Sequence, residues 1–219
     1  MEFDNVVLPT YVINLKERTD RYRHIQKQFE GRTEFDLHVI EASKGDCGAV
    51  ALWDSMRRVI KLAIQQDDDV ILLCEDDHTF TSFYNKHLLF RNILEASLQG
   101  AELLSGGIGG FNHAVPISEN RYWVDSLWCT QFLILYRPIF SKMLDFPFQN
   151  SDTADGVLSM ITSHKMVIYP FVSVQMDFGY SDVSPRNHNE RGLITEYFKQ
   201  AALRLEKYSA VNNRYLKNK

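Results

Sequence analysis

Three carboxylates stand side by side at Glu75, Asp76 and Asp77, directly behind the apolar run that opens "VILLCEDDHTF" at 70–80. Adjacent carboxylates repel one another, and burial raises their pKa, unless a cation is present. A divalent metal would relieve both effects, and oxygen ligands of this hardness suit Mn²⁺ or Mg²⁺. Such an ion would neutralise a diphosphate and the charge that develops as a leaving group departs. A solvated turn, with Asp77 capping a following helix, accounts for the same residues. Spacing leaves both readings open. His78 follows the cluster and is expected to face solvent. A second unusual stretch is "LLSGGIGGFNHAVPISENRYW" at 103–123, with four glycines within five positions. Glycines this dense let a backbone approach a ligand closely. "GGIGGF" lacks the spacing of a dinucleotide fingerprint, and a flexible connecting loop is the competing reading of this stretch.

The elements that must hold these residues alternate between strand and helix. "TYVINL" (10–15) reads as a buried strand, followed by a charged helical segment with Tyr22, Ile25 and Phe29 near helical spacing. "FDLHVIEA" (35–42) alternates like a strand. After a turn at Lys44-Gly45-Asp46, residues 47–66 carry Val50, Met56, Val59, Ile60, Ala63 and Ile64 at helical spacing. The acidic cluster ends a uniformly apolar strand, which predicts a parallel strand covered on both faces. A helix over 83–100 capped by Gly100 follows, then strands in "AELLSGG" and "WCTQFLILYR" and a helix opened by Pro138. "TADGVLSMITSHK" is helical, "MVIYPFVSVQ" is a strand broken by Pro170, and a last helix covers about Gly192 to Tyr208. This alternation predicts an α/β fold with helices on both faces of one sheet. In such sheets ligands bind beyond the carboxyl ends of the strands, where the acidic cluster falls.

Composition bounds the answer. The 219 residues, 45% of them hydrophobic, suit a single globular domain spanning 1–219. A net charge of -4 offers no basic excess of the kind that marks a nucleic-acid surface. Cys47, Cys74 and Cys129 are scattered and odd in number, which argues for a reducing cytoplasm rather than a disulfide framework. The acidic N-terminus does not read as a signal peptide. No stretch approaches the roughly 20 apolar residues of a membrane span, so any membrane contact is expected to be peripheral.

"YVINLKERTDRY" followed by "VILLCEDDHTF" resembles the glycosyltransferases of family 25, the lipopolysaccharide-biosynthesis type. The resemblance continues in order through "WCTQFLILYRPIFSKML", "DTADGVLSMITSHKMVIYPFVSVQ" and "GYSDV". It implies a GT-A (Rossmann-like) fold with a mixed, mostly parallel sheet. It also implies a metal-dependent, inverting transfer of a sugar, galactose first, from a UDP-sugar to a cell-envelope glycan, with a lipid-linked acceptor at the inner face of the membrane. Under it, Glu75 and Asp77 hold the metal with a late histidine, His188, or Asp182 beside it. Asn14, Arg18, Arg21, Glu75 and Asp76 serve the nucleotide sugar. Asp155 is the acceptor-side base, with Asp152 competing; each is also placed to cap a helix. Apart from the resemblance, the glycine-rich segment with Gly109 and its polar and aromatic tail (Asn112, His113, Tyr122, Trp123 and Trp128) suits an acceptor wall, since aromatic faces stack on sugar rings. One departure stands out: Leu52-Trp53 occupies the place of the family's usual Ser-His pair, with Asp54 and Ser55 following. A catalytically inactive glycan- or nucleotide-binding module of the same fold, or a transferase acting on protein or modified nucleic acid, are the rivals.

Overall fold

A computed structural model describes residues 3–179 and 192–217. His188 and Asp182 lie outside the described residues. The chain folds as β1 (Leu8–Asn14), α1 (Thr19–Phe29), β2 (Phe35–Glu41), α2 (Gly48–Gln65), β3 (Val70–Glu75), β4 (His78–Phe80), α3 (Lys86–Leu98) and β5 (Leu103–Ser105). It continues with β6 (Ala114–Ser118), β7 (Arg121–Val124), β8 (Phe132–Tyr136), α4 (Arg137–Asp145), α5 (Ala154–Ile161), β9 (Lys165–Ile168), β10 (Ser173–Gln175) and α6 (Leu193–Lys217).

Eight strands form one sheet in the order β2-β1-β3-β8-β5-β9-β7-β6. The first three are parallel neighbours. Strands β8 and β7 run against the other six. The fold is therefore the expected α/β class, with a mixed sheet whose strands mostly share one direction. Alternation along β3 explains its uniformly apolar sequence: Ile71 and Leu73 pack into one core, Leu72 and Cys74 into the other. Helices α2, α4, α5 and α6 cover the first face; α1 and α3 cover the second. Val59, Ile60 and Ala63 of α2 are fully buried, as its helical spacing requires.

Several elements depart from the sequence reading: α5 stops at Ile161, with Lys165 already in β9, and α6 runs on to Lys217. Asp77 caps no helix, because the short strand β4 follows it and Asn85 caps α3 instead, accepting from the Leu88 N–H. The segment broken by Pro170 becomes two strands in different sheets, β9 in the large one and β10 paired antiparallel with β4. The stretch 103–123 is no connecting loop. It contributes β5, a buried turn and most of the β6–β7 hairpin that ends the sheet. Its glycines make room for the protein's own atoms: a Cβ at Gly106 would fall 2.5 Å from the Phe132 ring, and one at Gly107 2.0 Å from the Ser173 carbonyl.

Candidate functional site

The end of β3 delivers the acidic turn into a cavity of about 810 Å³. Its middle member is held first. Asp76 accepts from Asn14 Nδ2 at 2.8 Å and from Arg21 Nη1 at 2.9 Å. Asn14 is the last residue of β1, parallel to β3, and Arg21 rises from the first turn of α1, so neighbouring elements brace the turn. The same Arg21 nitrogen donates to Asp77 Oδ2 at 3.1 Å, and Gln175 Nε2 from β10 reaches that oxygen at 3.0 Å. Asp77 Oδ1 is buried and has no hydrogen-bond partner among the described residues. Glu75 accepts from Thr130 Oγ1 at 2.6 Å.

The electrostatics follow from this packing. Burial pushes the Glu75 carboxyl up to about 7, with the neighbouring Asp76 and Asp155 charges adding to it while the Thr130 hydrogen bond and Arg21 pull it down. Glu75 keeps some surface toward the cavity, which tempers the shift. Asp77 is also raised, first by burial and then by Glu75. One guanidinium therefore leaves an excess of desolvated negative charge, and a buried carboxylate oxygen without a partner is costly. This is the donor set a hard divalent cation favours. No three carboxylate, imidazole or thiol groups among the described residues converge closely enough to enclose a metal by themselves.

The opposite wall comes from the second half of the chain. Strand β8 runs against β3, so the residues preceding it, Trp128, Cys129 and Thr130, arrive at the same end of the sheet as the finish of β3. Asp155 sits in the first turn of α5 and lines the cavity. Its Oδ1 accepts from Thr153 Oγ1 at 2.6 Å and the Gly156 N–H at 2.8 Å, and its Oδ2 from the Cys129 N–H at 3.2 Å. Cys129 adopts a positive φ of 74°, rare for a side chain other than glycine. Burial pushes its thiol far up, so the sulfur stays protonated. The residues Ser43 to Asp46, Gly48 and Leu52 close the side toward β2 and α2.

The structure thus brings Arg21, Glu75, Asp76, Asp77 and Asp155 onto one cavity, with Asn14 bracing it. Arg18, half-buried, precedes α1 without joining the lining. Asp152 accepts the Gln149 N–H at 2.8 Å in a local turn, and Thr153 takes the capping position. Of the acceptor-wall residues, Trp128 lines the cavity, while Gly109, Asn112, His113, Tyr122 and Trp123 lie off its lining. A Cβ at Gly109 would meet Cys129 Sγ at 2.8 Å, so Gly109 backs the wall. Asn112 donates its N–H to Asp125, and His113 pairs with Asp125 on the surface. Trp123 on β7 donates to the Ser163 carbonyl at 2.7 Å. His78 is fully buried rather than solvated: it packs against Phe29, Phe80 and Phe132 and contacts Ser173 Oγ at 2.7 Å. The departure at Leu52-Trp53 splits in two. Leu52 faces the cavity, while Trp53 is buried and stacks on Phe148. Ser55 accepts the Ser43 N–H at 2.8 Å, bracing the cavity edge from behind. Thr130 and Tyr197 carried no sequence signal, because only the reversed strand and the last helix bring them here.

No protein-family model matches the sequence, and no curated protein matches it. Solved structures match it at low identity, one of the following three with a TM-score above 0.5. A197 from STIV superposes with a TM-score of 0.53 at 9% identity, covering 80% of this chain and 87% of that one. A glycosyltransferase involved in the glycosylation of the major capsid of PBCV-1 gives 0.46 at 12% identity over 74% of this chain and 81% of its own. UDP-glucose pyrophosphorylase complexed with UDP-glucose gives 0.47 at 10% over 88% and 81%. At these identities the likeness to A197 is one of fold.

Proposed function

We propose that the chain is a metal-dependent glycosyltransferase that moves a hexose from a UDP-sugar to a hydroxyl of a cell-envelope glycan such as lipopolysaccharide. The observation that carries the reading is the pair of desolvated carboxylates, Glu75 and Asp77, at the carboxyl end of β3, facing a cavity that also holds Asp155. Glu75 and Asp77 would hold Mn²⁺ or Mg²⁺. When bound, such an ion supplies charge neutralisation to the diphosphate leaving group. Arg21 keeps the turn rigid through Asp76 and Asp77, and its charge lies beside the place a diphosphate would occupy. Asp155, held by three donors, accepts the proton of the attacking hydroxyl. Much of the acceleration then comes from positioning and preorganised charge. Galactose as the sugar, inversion at the anomeric carbon, and work on a lipid-linked acceptor at the cytoplasmic face of the membrane follow the family 25 resemblance. No helix among the described residues is long and apolar enough to cross a membrane.

Titration calorimetry tests the donor site. Wild type should bind UDP in the presence of Mn²⁺, and Asp77→Ala should lose that metal-dependent binding; equal affinity would refute the assigned role. Asp155→Asn should keep UDP binding and lose about 10²–10⁴-fold in transfer rate; undiminished turnover would remove Asp155 from the mechanism. A non-catalytic nucleotide-binding module is the second reading, favoured by Leu52 and Trp53 where the family carries Ser-His. It predicts UDP binding with no turnover of any sugar nucleotide.

A further inference from the structure

Trp128 is the unusual member of the cavity wall. Tryptophans are highly buried on average, but this one is 46% exposed while lining a cavity. It is also held rigidly. Its backbone bridges Gly110, with the Gly109 N–H donating to the Trp128 carbonyl at 2.9 Å and the Trp128 N–H to the Gly110 carbonyl at 3.1 Å. The indole rests against Gly110 so closely that a Cβ there would lie 2.4 Å from Cε3. Tyr197 of α6 meets it edge-on, with ring centroids 5.9 Å apart, and lines the same cavity. The next residue, Cys129, donates its N–H to Asp155. The ring and the carboxylate are therefore fixed to each other through one peptide unit.

A half-exposed, rigidly held indole beside a carboxylate suits a pyranose. The C–H bonds on one face of a sugar ring carry partial positive charge and meet the negative face of the indole, while ring hydroxyls donate to the carboxylate oxygens. We propose that Trp128 and Tyr197 form the platform that binds a pyranose ring of the acceptor and presents its hydroxyl to Asp155. This subsite rests on the transferase reading above. Of the wall residues read from the sequence it keeps Trp128, adds Tyr197, and sets the subsite at the mouth of β8.

Saturation-transfer NMR with methyl glycosides of galactose, glucose, mannose and N-acetylglucosamine, in the presence of UDP and Mg²⁺, tests it on the full chain. At least one glycoside should receive saturation on its ring C–H protons. Trp128→Ala should weaken that binding about tenfold, Trp128→Phe should retain most of it, and both variants should bind UDP with wild-type affinity. A wild type that binds UDP and ignores every glycoside overturns the platform and leaves the donor reading standing. Undiminished glycoside binding by Trp128→Ala overturns it as well. A wild type that fails to bind UDP yet saturates a glycoside in a Trp128-dependent manner supports the platform and sinks the donor reading.

Discussion

Glu75 is a carboxyl whose environment works against its charge, and this makes a signed prediction. In the metal-free chain it holds its proton up to about 7, whereas the unfolded value is 4.5. The folded state therefore binds more protons between those values, and the stability this group contributes is full below pH 4.5 and lost as pH rises through about 7. Glu75→Gln removes the penalty and keeps an acceptor for Thr130. Denaturant unfolding of the metal-free variant should show a gain of about 1–3 kcal/mol at pH 8 and little at pH 4.5; equal changes at both would refute the assigned environment. Metal-dependent UDP binding should strengthen over the same rise in pH, because protons compete for the same oxygens. At this scale the sequence was partly legible. A run of carboxylates closing an apolar strand is visible in one dimension, as is the oddity at Leu52-Trp53. The Thr130 hydroxyl on Glu75 is not, since 55 residues separate them.

Elements decide where the turn sits. The two-stranded sheet β4–β10 lies just past the acidic cluster, and its Gln175 and the Met176 N–H both bond to Asp77, the latter at its carbonyl at 2.7 Å. Gly107 is the contact that lets β10 come so close. Gly107→Ala should force β10 outward, costing about 1–3 kcal/mol as overpacking does and weakening UDP binding through Asp77. Gly45→Ala is the control: its added carbon would meet another only at 4.0 Å, an ordinary contact, and stability should change by no more than about 0.5 kcal/mol. Thermal melts of the two variants check the contrast, and equal losses would remove the role given to Gly107. Period and composition made the long helices and β1, β2, β3 and β8 readable. Three-residue strands such as β4 and β10 escape such reading, because three residues hold no pattern and their pairing partners lie some 95 positions away. The glycines misdirected the reading for a related reason: close approach was correctly inferred, but the approaching group is Phe132, Ser173, Cys129 or Trp128 rather than a ligand.

At the scale of the whole molecule, one sheet ties both walls of the cavity together, and its two faces bury separate cores. We propose that the chain unfolds as one unit. UDP and Mg²⁺ together, at about 100 times their dissociation constant, should add roughly 2.7 kcal/mol and raise the midpoint of a single transition by several degrees. UDP with a chelator should add far less. A melt with two separable transitions would sink the single-domain reading. The α/β class was legible because strand and helix alternate along the sequence. The reversed direction of β8 was not, since an apolar run reads the same either way.

That reversal divides the cavity by position in the gene. Every lining residue up to Asp77 belongs to the first stretch of the chain, and every one from Trp128 onward to the second, with none between. If the first stretch chooses the donor and the second the acceptor, the two specificities can drift apart as long as Thr130 on Glu75 and Gln175 on Asp77 are kept. Changing Trp128 and Tyr197 while keeping Thr130 and Gln175 would then be the shortest route to a new product from an old sugar nucleotide.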